Sequence, residues 1–288
     1  MTKYDAIILG AGPAGISASL YIKRANLKVL VLYYGESELE KAHKIDNYYG
    51  FKNGITGKEL YKTGIEQAKN LGIEVHEEEI INIEMTGDLK FIVKTTEKNY
   101  DCKTVIIATG NKKEKPNIKG IEDFEGKGVS YCAICDGFFY KNKKVVVIGN
   151  GNYAIHEAND LAGIAENVTI LTNGNGKPNT DKYEIDNRKI KQIHGEKKVE
   201  SIEFEDGKFL NIDGIFIAQG IAGGNDFAKK IGVISNKDKI VVNENMETNV
   251  KGIFACGNLT GGLLQVNKAV YEGAKAGLQA IQFIRNDK

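Results

Sequence analysis

Asp5-Ala6-Ile7-Ile8-Leu9-Gly10-Ala11-Gly12-Pro13-Ala14-Gly15, followed by Ile16 to Arg24 at helical spacing, decides the fold of this 288-residue chain. A short apolar strand, a glycine turn and a helix form the order in which a G-x-G-x-x-G pattern binds a dinucleotide. Gly10 allows the tight turn, Gly12 lets a pyrophosphate approach the backbone, and Gly15 lets helix and strand pack closely. Pro13 and Ala14 count with these glycines among the cofactor-binding residues, and the helix N-terminus then faces the phosphates with its unpaired N–H groups. A second strand, Lys28 to Tyr34, completes the unit. No acidic residue stands at its end to bind a ribose; Tyr33 and Tyr34 do, and Glu36 follows shortly after.

A second strand and glycine turn begin at Lys144-Val145-Val146-Val147-Ile148 and continue Gly149-Asn150-Gly151-Asn152-Tyr153-Ala154, with a further strand at Asn167 to Leu171. Thr104-Val105-Ile106-Ile107-Ala108-Thr109-Gly110 is an apolar strand ending in a small-residue turn. Gly252 to Asn258 has the same character and precedes a long helical stretch, Gln265 to Ile284, with Ala269, Ala276, Ala280 and Phe283 on its apolar face. The segment Thr172 to Asp181, rich in Gly and Asn, reads as a surface loop. The expected fold class is α/β, with two Rossmann-like (three-layer ββα) nucleotide-binding domains, the second inserted in the first. The outer domain takes residues 1–113 and 241–288, the inserted one 114–240, with crossings near Asn111 to Lys119 and Lys237 to Val242.

Apolar content of 42% and charged content of 27% are those of a globular protein with a sizeable core. A formal net charge of +1 calls for neither nucleic acid nor membrane as a partner. No run approaches a transmembrane length, and the first strand starts at Tyr4, so a cytoplasmic protein without a signal peptide is expected.

Between the two glycine turns lies Cys132-Ala133-Ile134-Cys135-Asp136. Thiols at this spacing close a small ring and pass reversibly between dithiol and disulfide. Asp136 offers a proton donor and acceptor for that traffic, or a helix N-cap. The alternatives are half of a zinc site and a pair of core cysteines. Cys102 and Cys256 are too isolated to complete a ligand set and read as small core hydrophobes. His43, His76, His156 and His194 share no spacing and read as surface or packing residues.

Together these pieces resemble the low-molecular-weight thioredoxin reductases over essentially the whole chain. The matching stretches are Gly10 to Gly15, Ile45-Asp46-Asn47-Tyr48-Tyr49-Gly50-Phe51, Ile55-Thr56-Gly57, Ala108-Thr109-Gly110, Cys132 to Gly137 and Gly252 to Asn258. The resemblance implies a homodimer with a bound FAD, a flavin-adjacent disulfide and thioredoxin as acceptor. It also implies flavin contacts at Asn47, Thr109, Gly110 and Gln265, with Cys135 nearer the flavin, Cys132 attacking thioredoxin, and Asp136 protonating the leaving thiolate. Gly257-Asn258 departs from the family's Gly-Asp, whose carboxylate holds a ribityl hydroxyl; Asn258 keeps hydrogen-bonding capacity there.

The larger departure lies in the inserted domain. NADPH-dependent members place arginines after the second strand, because a 2′-phosphate needs permanently charged, bidentate donors. Here that place reads Leu171-Thr172-Asn173-Gly174-Asn175-Gly176, and the nearest arginine downstream is Arg188. No acidic residue holds the 2′-hydroxyl of NADH, Asn150 and Asn152 thicken the turn, and Tyr153 and His156 crowd the helix after it. This pattern is similar to the clostridial-type ferredoxin-dependent flavin thioredoxin reductases, which keep FAD and the thiol pair but lack the nucleotide motifs. The expected enzyme takes electrons from reduced ferredoxin, with Lys112, Lys113 and Lys115, or Lys141, Lys143 and Lys144, as docking patches. An NADPH- or NADH-dependent thioredoxin reductase and a non-catalytic redox-sensing flavoprotein are the alternatives.

Overall fold

Asp5–Leu9 supplies the buried centre of β1 (Thr2–Leu9), where Ala6 to Leu9 are completely shielded from solvent. In the computed structural model, which describes residues 2–87, 90–110, 116–220, 222–236 and 239–286, the chain then runs through α1 (Pro13–Arg24), β2 (Val29–Tyr33), α2 (Gly57–Asn70) and β3 (Glu74–Glu77). An antiparallel run of β4 (Ile80–Thr86), β5 (Lys90–Thr95) and β6 (Asn99–Ile107) follows. The sheet order is β3-β2-β1-β6-β5-β4. β1 pairs in parallel with both β2 and β6, so its Leu9 end delivers the Gly10 turn beside the end of β6 at Ala108.

The next stretch builds its own sheet from β7 (Val129–Ser130), α3 (Ala133–Asp136), β8 (Lys144–Ile148), α4 (Asn152–Leu161), β9 (Asn167–Leu171), β10 (Glu184–Asp186), β11 (Ile190–His194), β12 (Ser201–Phe204), β13 (Phe209–Asn211) and β14 (Gly214–Ile217). Among the described residues, β10-β9-β8-β14-β7 form a parallel sheet and β11-β12-β13 a separate antiparallel one. Val145 to Ile148 and Ile215 to Ile217 are buried, as continuous apolar runs in a parallel sheet should be.

The chain returns to the first sheet through α5 (Gly224–Lys230), β15 (Ser235–Asn236), β16 (Lys239–Ile240), β17 (Ile253–Ala255) and α6 (Val266–Asn286). β17 pairs with the second half of β6, whose first half pairs with β5. The apolar face expected for the last helix packs on α1, where a Cβ at Gly273 or Gly277 would sit 2.0 or 2.7 Å from the carbonyl of Ala14 or Ala18.

Two compact units result: Met1–Lys112 with Gly223–Lys288, and Lys113–Ala222. This is the α/β architecture of two Rossmann-like domains. The return crossing, expected near Lys237 to Val242, falls instead at Ala222 and Gly223. The reason is a close approach: a Cβ at Gly224 would meet Thr109 Oγ1 at 2.6 Å and Leu259 Cδ1 at 2.7 Å, so α5 already belongs to the outer unit. No helix among the described residues is long and apolar enough to cross a membrane.

Candidate active site: a cofactor cradle and a redox disulfide

In the outer unit the three glycines of the first turn are glycine for three different reasons. Gly10 has φ +111° and a Cβ there would lie 2.4 Å from the Ala108 carbonyl; a Cβ at Gly15 would lie 1.9 Å from the Gly10 carbonyl. A Cβ at Gly12 would meet no atom of the described residues within 4 Å, so their packing gives no reason for glycine there. Gly12 is the N-cap of α1, with Pro13 in its first turn. Ala14 is buried and would lie 3.0 Å from a Cβ at Gly257, which brings the Gly10–Gly15 and Gly257–Asn258 stretches together. Thr109 joins them from the end of β6. Its hydroxyl is buried with no hydrogen-bond partner among the described residues, and Gly110 follows it at φ +74°.

Asn47 and Gln265 are also brought together: Asn47 Nδ2 donates to Gln265 Oε1 at 3.0 Å, and Asn267 Nδ2 donates to the Asn47 carbonyl at 3.3 Å. Two residues that the sequence did not single out hold the Gly257 turn. Glu272 Oε2 accepts the Gly257 N–H at 2.9 Å, and Lys268 Nζ donates to the Gly257 carbonyl at 2.7 Å and to Glu272 at 2.9 Å. Their signal was an i,i+4 Lys–Glu pair on an otherwise apolar helix face. A glycine with open space before it, an unpartnered buried hydroxyl and a helix N-terminus make a cradle that fits a dinucleotide.

In the inserted unit, Cys132 and Cys135 form a disulfide with a Cα–Cα separation of 5.3 Å. Cys132 is buried and Cys135 exposed. Cys132 is the N-cap of α3, its Sγ accepting the Cys135 N–H at 3.2 Å. Asp136 ends α3 and stands at the N-cap position of the next helical turn, Gly137–Tyr140, without a side-chain cap bond there. Its Oδ2 instead accepts the Ser130 hydroxyl at 2.6 Å, while Ser130 Oγ accepts the Cys132 N–H at 3.1 Å. β7 exists to place Ser130 there, and nothing in the sequence pointed to it. Burial first, then the Asp136 charge, raises the Tyr140 hydroxyl above its ordinary range. Just beyond, Phe138 and Phe139 are 76% and 69% exposed, an apolar pair set beside the disulfide.

Cys102 and Cys256 are free and buried in the outer unit, with burial pushing both thiols far up. His156, Glu157 and Asp160 bring donor atoms within 4.8 Å of one another on α4. His156 faces Asp160 at 3.3 Å and Glu157 accepts the Ala133 N–H at 2.7 Å, so these side chains have protein partners.

The second glycine turn forms, with Gly151 capping α4 and Tyr153 buried behind it. The stretch after β9 folds on its own side chains: Asn173 Oδ1 accepts the Ile190 N–H at 2.7 Å, and Thr172 Oγ1 bonds Asn187. Arg188 grips Asp186 through Nε at 3.0 and 3.1 Å and through a terminal nitrogen at 2.5 Å, and its guanidinium lies 3.8 Å over the Phe204 ring. Of the expected docking lysines, Lys143 folds back onto the Phe139 carbonyl at 2.9 Å, and Lys141 and Lys144 are exposed. Lys112, Lys113 and Lys115 lie outside the described residues.

A dinucleotide cradle in one unit and a CxxC disulfide in the other define a nucleotide-linked disulfide oxidoreductase. The sequence matches the family model of pyridine nucleotide-disulphide oxidoreductases over residues 4–181 and 184–273. It is 36% identical to the thioredoxin reductase of Aquifex aeolicus, across 99% of this chain and 94% of that one. Among solved structures it is similar to the atypical thioredoxin reductase of Desulfovibrio vulgaris Hildenborough (37% identity, 98% of each chain, TM-score 0.93). It is also similar to a ferredoxin-flavin thioredoxin reductase of Clostridium acetobutylicum (34% identity, 99% of each chain, TM-score 0.71). The chain therefore belongs to the pyridine nucleotide-disulphide oxidoreductases, as a disulfide reductase of the thioredoxin reductase type.

Proposed function

We propose that this protein carries electrons from reduced ferredoxin through FAD and the Cys132–Cys135 disulfide to thioredoxin. The observation that carries the choice of donor is the commitment of Arg188. The nearest arginine after β9 is held by Asp186 and stacked on Phe204, and no other arginine occurs between Leu171 and Arg188 to clamp a 2′-phosphate. The likeness to the C. acetobutylicum ferredoxin-flavin enzyme supports the same choice.

FAD would be held by Gly10, Gly12, Pro13, Ala14, Gly15, Asn47, Thr109, Gly110, Gly257, Asn258 and Gln265, and when bound it accepts electrons singly and passes on a pair. The protein's own part is at sulfur. Exposed Cys135 is the sulfur a reductant reaches first, leaving Cys132 as the thiolate that attacks the acceptor disulfide. Asp136, its carboxylate oriented by Ser130, holds the proton that the leaving sulfur takes up and later returns. Cys132 must gain access to solvent for its step, and the exposed Phe138–Phe139 pair offers thioredoxin an apolar seat beside it.

Anaerobic mixing of the holoprotein with NADPH, NADH or reduced ferredoxin, followed by flavin absorbance, tests the reading. Ferredoxin should bleach the flavin and support thioredoxin turnover. Losing two charge-assisted contacts of about 1.5–3 kcal/mol each leaves NADPH binding in the millimolar range. Rapid bleaching by micromolar NADPH overturns the donor and keeps the reductase.

A further inference from the structure

We infer that Glu157, on the helix of the second glycine turn, sets the redox poise of the Cys132–Cys135 pair. This rests on that pair being the working redox centre, and not on which donor feeds it.

The argument starts from where the amides of the CxxC turn go. Cys132 N–H donates to Ser130 Oγ at 3.1 Å, and Asp136 N–H to the Cys132 carbonyl at 3.1 Å. Cys135 N–H donates to Cys132 Sγ at 3.2 Å. Ala133 N–H, adjacent to Cys132, donates to Glu157 Oε2 at 2.7 Å. One amide of the turn thus serves sulfur and another serves a carboxylate 1% exposed. Glu157 comes from the second turn of α4, the helix that follows the second glycine turn, and it is tied to the amide next to Cys132.

The charges around the turn come from three elements. Asp136 stands on α3 beside Cys135, Tyr140 on the following turn, and on α4 Glu157 is flanked by His156 and Asp160, which face each other at 3.3 Å. In its ionised form, a carboxylate tied next to Cys132 opposes a negative charge on that sulfur. Reduction by glutathione adds such charge. Two glutathione thiols give up two electrons and become glutathione disulfide, the protein S–S bond breaks, and the two protons go to the cysteines or, for a thiolate, to solvent. Cys132, Ala133 and Glu157 are buried, and the low dielectric there makes the repulsion matter.

The test is a glutathione titration of the FAD-loaded protein, quenched with an alkylating reagent and read by mass. It needs neither ferredoxin, nicotinamide nor thioredoxin, so a failed donor assignment leaves it intact. Glu157→Gln keeps an acceptor for Ala133 N–H and removes the charge. It should move the equilibrium about three- to tenfold toward dithiol and raise the iodoacetamide rate of Cys132 at neutral pH by a similar factor. Ala133→Pro removes the amide and leaves the carboxylate, at a first helical position that tolerates proline after an extended residue. It should move the equilibrium the other way. If the Gln variant does not fold, the Pro variant alone decides. Equilibria within twofold of the parent in whichever variants fold, or a Gln shift toward disulfide, would overturn the assignment.

Discussion

Cys132→Ser and Cys135→Ser should each abolish thioredoxin reduction with FAD still bound, because the cradle and the disulfide lie in different units. A thiol-reactive dye should report the other two cysteines as silent. The native oxidised protein should yield less than one reactive thiol and the reduced protein two, since burial keeps Cys102 and Cys256 both shielded and protonated. Cys102→Ser then changes stability at most. The glycines of the first turn separate folding from binding in the same way. Gly15→Ala forces a methyl into the Gly10 carbonyl at 1.9 Å and should cost about 3 kcal/mol of stability. Gly12→Ala meets no atom of the described residues within 4 Å, so calorimetry on the apoprotein should find its Tm unchanged while FAD affinity drops at least about tenfold. Equal loss of stability in both variants would remove the argument that Gly12 is kept for a ligand.

The strands β10 to β13 carry two carboxylates held down by basic partners. Hydrogen bonds from Arg188 hold Asp186 below the usual carboxylate range, and those from Lys191 and then His194 do the same for Glu203. Groups depressed on folding stabilise above their unfolded pKa and lose that contribution as pH falls through the folded value. Thermal melts should therefore be level near neutrality and fall below about pH 4, and Asp186→Asn should flatten that fall. Both glycine turns, the strand ending at Thr109, the last helix and the CxxC motif were legible in the sequence, because each is a local pattern of apolar period and glycine spacing. Ser130, Glu157 and Glu272 were not. Their roles arise from a two-residue strand, a helix packed on a thiol turn and a close helix start, contacts between segments with no shared pattern. The early return at Gly223 was hidden for the same reason, since only the approach of Gly224 to Thr109 fixes it.

On the proposed reading, an acidic electron donor meets a protein whose own net charge is only +1. Any steering has to be local, and Lys141 and Lys144 are the exposed cations next to the Phe138–Phe139 pair. Flavin reduction by ferredoxin should slow several-fold between about 50 and 300 mM salt if these lysines guide encounter. The double variant Lys141→Glu, Lys144→Glu should abolish that salt dependence. A rate indifferent to salt in the parent would discard the patch and leave the reductase reading untouched.

The close packing of α6 on α1, sealed by Gly273 and Gly277, also fixes an order of events during synthesis. The outer core cannot close until the last helix has left the ribosome, because β17 and α6 complete what β1, α1 and β6 begin. The inserted unit, continuous from Lys113 to Ala222, has all its strands available much earlier. It should fold while the N-terminal strands still wait for their partners. Flavin capture should then wait for α6, and nascent chains truncated before Gly252 should carry a protease-resistant inserted unit and no flavin.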